Sequence, residues 1–177
     1  CAVAMLFLLL SAVNGAMSIL DEKENGLFDR VTLSPGGVPA YLQGKLAFLW
    51  MEGMVAVSVI FTVAWLVFGV DLPGKFLPWL IVSACAAFCA AGLALLFVSL
   101  CSSRRQAQSL GHIIVLVISA LGGSMVPRFL MPPAVQDLGW FTPNTWVLDA
   151  YSSAFWEHDA AAVLALPLYL LFGVGLA

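Results

Sequence analysis

The sequence predicts an all-α protein threaded several times through a bilayer, and three observations predict it. Charged residues make up 10% and hydrophobic residues 62% of the 177 positions, whereas a soluble domain carries about a quarter charged. Apolar runs recur at lengths close to the roughly 20 residues a helix needs to cross hydrocarbon. The runs are separated by polar or Pro- and Gly-broken stretches, of which Asp21 to Lys45 (DEKENGLFDRVTLSPGGVPAYLQGK) is the longest polar one. Five spans are expected, at about 2–20, 46–70, 76–101, 110–126 and 160–177, in one transmembrane domain covering the chain. Both ends of the chain, Cys1 and Ala177, fall inside apolar runs, which reads as a piece of a longer protein.

Span one lacks the basic leader of a signal peptide and carries a mildly polar inner half at Asn14, Gly15 and Ser18. In the interval after it, Leu27, Phe28 and Val31 form a small apolar face flanked by Glu24, Asp29 and Arg30. Ser34-Pro35-Gly36-Gly37 would end that turn, and Pro39 can start the helix leading into span two. Span two holds one charge, Glu52, and the turn 71–75 closes it through Pro73 and Gly74. Span three has no charge, and Ser83, Ala84, Ala87 and Ala91 supply faces for close helix contact. Span four follows the loop Ser102 to Gln106 and is stopped by Pro127; His112, Leu116, Ser119 and Gly123 fall on one small or polar face.

The segment 127–159 is not an ordinary loop. Pro132-Pro133 can open a short helix that Gly139 ends, and Thr142-Pro143 can open another with Thr142 as N-cap. Trp140, Phe141, Trp146, Tyr151, Phe155 and Trp156 are rings of the kind that settle at headgroup level, so two short helices at the outer leaflet are expected. Lys23, Arg30, Lys45, Arg104 and Arg105 lie on one side of this topology, and Lys75 and Arg128 on the other. Because cytoplasmic loops carry the excess of Lys and Arg, the 21–45 interval is placed in the cytoplasm and 127–159 outside.

Several chemistries fall away. Seven scattered Lys and Arg in a chain of net charge -3 exclude a phosphate-tracking nucleic-acid surface. Cys85 and Cys89 share a helix face, but two thiols without further Cys or His do not complete a metal site. Gly69 to Lys75 imitates the start of a phosphate-cradling loop, yet Phe76 stands where a Ser or Thr must reach magnesium. Ser124 and His112 are twelve residues apart, about 18 Å along a helix, too far for a nucleophile and its base. No covalent chemistry is therefore expected of the chain.

Glu52 and His112 lie about two turns inside the inner interface, where ionisable groups are costly. They either face a hydrated inner cavity, and each other, or snorkel and satisfy backbone groups. Asp149, in the apolar setting TWVLDAY, either pairs locally, as with Arg128, or serves a gate.

Three stretches, EKENGLFDRVTLSPGGVPAYLQGKL, SSRRQAQSLGHIIVLVISALGGSMVPRFLMP and FTPNTWVLDAY, taken in this order, resemble an ABC-2 type transporter permease, the membrane subunit of ATP-binding-cassette exporters. The resemblance implies a six-span subunit whose first span precedes Cys1. It implies a second permease copy, as homo- or heterodimer, and an ABC ATPase subunit that binds ATP and Mg, with no cofactor or metal on this chain. The place would be the plasma membrane, a bacterial inner membrane. It further implies that 21–45 is the coupling segment, with Glu24, Leu27, Phe28, Asp29, Arg30 and Val31 meeting the ATPase. Asn14, Met17, Glu52, His112, Leu116, Ser119 and Gly123 would line the translocation path or the dimer interface, and Arg128, Trp146 and Asp149 the outer gate. Two rivals stand beside it: a nucleotide-independent secondary transporter or channel, against which the lack of an internal repeat weighs, and a membrane scaffold subunit.

Overall fold

The computed structural model describes residues 2–26, 31, 37–69, 73–125, 130–156 and 173. Seven α-helices are formed among them: α1 (Ala2–Ala16), α2 (Ser18–Glu24), α3 (Gly37–Phe68), α4 (Phe76–Ser99), α5 (Arg104–Leu121), α6 (Pro133–Gly139) and α7 (Pro143–Trp156). The stretch expected as span five lies outside the described residues, Gly173 apart. Among the described residues, three helical rods are long and apolar enough to cross a membrane: Ala2–Glu24, Gly37–Val67 and Phe76–Ser99. The sequence expectation of a crossing at 110–126 meets a helix that begins earlier and ends sooner. Ser103 caps α5 by accepting from the Gln106 N–H at 3.3 Å, and Gly123, at φ +87°, stops the ladder beyond Leu121. The polar first turns of α5 leave only its second half strongly apolar.

The break between α1 and α2 has a local cause. Ser18 Oγ donates to the Gly15 carbonyl at 2.7 Å and so competes with the helical ladder beside Met17. The long helix α3 starts at Gly37 rather than at the apolar boundary near Leu46, because Pro39 fits a first turn. Its 32 residues reach about 48 Å at 1.5 Å per residue, more than the ~30 Å of hydrocarbon. The turn carrying Tyr41 and Lys45 therefore projects past the apolar part.

α1 is the centre of the bundle and packs on α3, α4, α5 and α7. Its contacts are made by small residues on the neighbouring helices. A Cβ on Gly53 of α3 would stand 2.9 Å from Leu8 Cδ1 and 3.2 Å from Ala87 Cβ, so three backbones converge there. A Cβ on Gly111 of α5 would stand 2.8 Å from Val13 Cγ1. Along α4, Ser83, Ala86, Ala87, Ala90, Ala91 and Ala94 are buried, whereas Ala84 is only partly so. Conversely, Met51, Val55, Val59 and Val63 of α3 are more than half exposed, a face that water would not tolerate and lipid or protein would.

The aromatic residues of α7 are not all at a surface. Tyr151 is buried and shares a hydrogen bond with Ser83 Oγ at 2.8 Å. Phe61 of α3 packs against Trp79, Tyr151 and Phe155 with ring centroids 5.8, 5.1 and 5.9 Å apart. Among the described side chains of these rings, Trp140 and Phe141, in the α6–α7 turn, are the exposed ones. The headgroup expectation thus fails for Tyr151 and Phe155, because α7 packs along α4 and Phe61 of α3 offers both rings an aromatic partner.

Gly53→Leu is expected to cost about 1–3 kcal/mol through overpacking, and Gly53→Ala less, since Leu8 can turn aside but Ala87 cannot. Thermal unfolding in detergent, followed by tryptophan fluorescence, measures both.

Candidate functional site

At one end of the bundle the polar interval is fastened on both sides. Asp21 of α2 pairs with Arg104 at the start of α5. One turn position on, Glu22 accepts from Lys45 Nζ at 2.7 Å and from the Tyr41 hydroxyl, both on the projecting turn of α3. Burial opposes ionisation of Glu22, but the hydrogen bonds from Lys45 and Tyr41 and the lysine charge prevail and hold its carboxyl below the usual 4.5. The interval thus leaves the bundle from a charged residue bonded to α5 and returns through residues bonded to α2. Glu22, Tyr41 and Lys45 were not singled out by sequence as a site. The signal available was the four-residue spacing of Tyr41 and Lys45 on a helix that Pro39 starts.

Of the six expected coupling residues, Leu27, Phe28, Asp29 and Arg30 lie outside the described residues. Glu24 is exposed, and Val31 is helical and partly exposed.

Inside the bundle the structure does not pair Glu52 with His112. Glu52 Oε1 accepts from Ser11 Oγ on α1 at 2.8 Å, and Oε2 lies 2.7 Å from where a Cβ on Gly15 would stand. The His112 ring bonds the Gln108 carbonyl of its own helix at 2.7 Å. Asn14 is exposed and Met17 buried, so these two do not share a side of the rod. The expected α5 stripe is also divided. Ala107, Gly111, Val115 and Ser119 are the buried residues of α5, while His112 is partly exposed and Leu116 is 44% exposed. The packed face is one residue out of register with the predicted one because the helix follows its small residues Ala107 and Gly111 toward α1. Gly123 lies beyond the helix.

At the opposite end, the C-terminus of α5 meets the α6–α7 turn through buried polar groups. Asn144 Nδ2 donates to Ser119 Oγ at 3.2 Å and to Ser124 Oγ at 2.9 Å. Thr142 and Thr145 hydroxyls both donate to the Gly139 carbonyl at 2.7 Å. Thr142 precedes Pro143 at the start of α7 as expected for an N-cap, but its hydroxyl bonds backward rather than to the helix. Of the expected gate residues, Arg128 is outside the described residues. Trp146 is half-buried, and its buried Nε1 has no hydrogen-bond partner among the described residues, while Asp149 is half-buried with its carbonyl accepting from Ser152 Oγ. Lys75, the lysine of the phosphate-loop look-alike, donates to the Phe155 carbonyl near the end of α7. Among the described residues no group of three or more His, Cys, Asp or Glu stands together to hold a metal ion.

Long apolar helices, a central rod packed through small residues and a polar interval fastened at one end define the membrane part of a multi-pass protein. The model of the ABC-2 type transporter family matches residues 1–156. The chain belongs to that family, and it is a transporter membrane component rather than a catalytic domain. No curated protein and no solved structure matches it significantly.

A double-mutant cycle on Glu22 and Lys45, both mostly shielded at 27% and 13% side-chain exposure, is expected to show a coupling of roughly 1 kcal/mol. The more open Asp21–Arg104 pair, at 31% and 55%, should show less than about 0.5 kcal/mol. Because the Glu22 carboxyl is held below 4.5, the coupling persists above that pH and disappears as pH falls below it. Thermal midpoints of the four variants at pH 7 and at acid pH measure this.

Proposed function

We propose that the chain is the permease subunit of an ABC exporter, moving its substrate by alternating access driven by ATP hydrolysed on a separate ATPase subunit. ATP and Mg sit on that partner, and this chain carries no nucleotide. It works beside a second permease copy in the plasma membrane, a bacterial inner membrane, with the 21–45 interval in the cytoplasm and α6 and the start of α7 at the outer side.

The observation that supports this best is the double fastening of the 21–45 interval, through Glu22 to Tyr41 and Lys45 and through Asp21 to Arg104. A push on residues 27–31 has covalent and ionic routes into α1, α3 and α5 together. A free loop would absorb such a push, whereas a loop tied at its base passes it on. An energy source shifts a conformational balance only through different affinities for the two states, and here nucleotide-dependent docking on the interval would supply that difference. The faces that the described residues leave uncovered, with Asn14 on α1 and His112 and Leu116 on α5, are candidate surfaces for a path or a second copy.

The full-length protein is expected to co-purify with an ABC ATPase, and the combined Leu27→Asp, Phe28→Asp and Val31→Asp variant should lose the ATPase while remaining monodisperse. Retention of the ATPase by that variant, or a wild type without any nucleotide-dependent partner, overturns the proposal. Glu52→Gln and His112→Ala are expected to lower transport into vesicles at least severalfold if they face the path; unchanged transport and pH dependence remove them from it.

A further inference from the structure

We infer that the joint between the end of α5 and the start of α7 is a polar latch, held shut in this conformation by Asn144 and released when water reaches its amide. The inference rests on the alternating-state reading above, but its test needs no ATPase.

Four observations carry it. Asn144 is fully buried, and its amide spans both sides of the end of α5 by donating to Ser119 within the helix and Ser124 beyond it. Among the described residues no donor reaches its Oδ1, which is buried as well. An amide oxygen taken out of water without a donor is costly, so the closed joint is held by two hydrogen bonds against the pull of one unsatisfied acceptor. Such a group gains on meeting water, which biases this joint toward opening once the apolar seal loosens.

The backbones here touch closely enough to make opening all-or-none. A Cβ on Gly122 would stand 2.3 Å from Asn144 Cβ, and one on Gly139 would stand 2.5 Å from the Leu121 carbonyl oxygen. The contact is backbone against backbone or Cβ, so small rearrangements cannot be absorbed by a flexible side chain. Thr145 adds a 3.5 Å contact to the Gly122 carbonyl and Thr142 shares its hydroxyl with Thr145 at 3.3 Å. These groups belong to the α6–α7 turn and the first turn of α7 and would leave α5 together with Asn144. By contrast, the C-terminal half of α7 is fixed to α4 and α3 by the Tyr151–Ser83 hydrogen bond and the Phe61 cluster. The latch therefore frees one end of α7 while the other end stays anchored.

Hydrogen–deuterium exchange of the full-length protein in lipid nanodiscs tests the latch directly. In Asn144→Asp the carboxylate can only accept from the Ser119 and Ser124 hydroxyls, and its buried charge draws water into the joint, so amides 145–148 should exchange roughly tenfold faster at neutral pH than in wild type, a modest share of the cost of burying that charge. Lowering the pH protonates the Asp, restores a donor of the same shape and should return exchange to the wild-type ratio, a reversal that mere packing damage would not give. Ser124→Ala, which leaves Asn144 and the core intact, should give a smaller acceleration confined to the same amides. Equal exchange in Asn144→Asp and wild type at neutral pH overturns the inference. So does an acceleration that persists at low pH, or one spread across α4 and the whole of α7.

Discussion

An apolar bundle in an apolar solvent loses the force that folds soluble proteins, because hydrocarbon covers Leu and Val as well as another helix does. What remains is close packing and a few hydrogen bonds, and the structure shows where each is placed. The central rod is approached by Gly53 and Gly111, and by the alanines of α4, at separations that no larger residue permits. Dispersion at such contacts is individually slight and collectively large. Everything else in the described bundle depends on that seam, since α3, α4 and α5 all meet α1.

Polar contacts do the remaining fastening, and two of them sit at the two ends of α5. At the first turn Arg104 reaches Asp21, and at the last Ser119 meets Asn144. The two contacts differ in kind. The first is exposed and ionic, so it can be remade against another partner at little cost. The second is buried in low dielectric, where breaking it without water is expensive. A helix held loosely at its charged end and firmly at its buried end moves only once water reaches the second. The Ala107–Gly111–Val115–Ser119 face is the surface on which it would rock against α1.

Much of the architecture was legible because Pro and Gly act within one or two residues of themselves. The boundaries of α6 at Pro133 and Gly139 and the start of α7 at Pro143 come from such local rules. Which face of a helix is buried was less legible. In a soluble protein hydropathy marks the inward face, but in α5 both faces are apolar beyond the second turn, and only small size distinguishes them. Ser119 lay on both the expected and the observed face, whereas His112 and Leu116 fell on the wrong side of Gly111. Least legible were contacts between distant segments. Nothing in NTW announces that Asn144 will meet serines 20 and 25 residues earlier, or in DEKE that Glu22 will meet Tyr41.

The two ionisable residues placed within the apolar runs show how burial alone misleads. Sequence depth made Glu52 and His112 equivalent, and the structure separates them. Glu52 occupies a notch on α1 made by the Ser11 hydroxyl and the missing side chain of Gly15, so it joins two helices of this chain. A residue that bridges elements of one subunit reports their relative position, and its removal would loosen α1 from α3. His112 satisfies one ring nitrogen within its own helix and stands on the face of α5 that the described chain leaves uncovered. Its other nitrogen is therefore available to a group outside these elements. Of the two, Glu52 joins elements of the described bundle, and His112 stands on a face that those elements leave open.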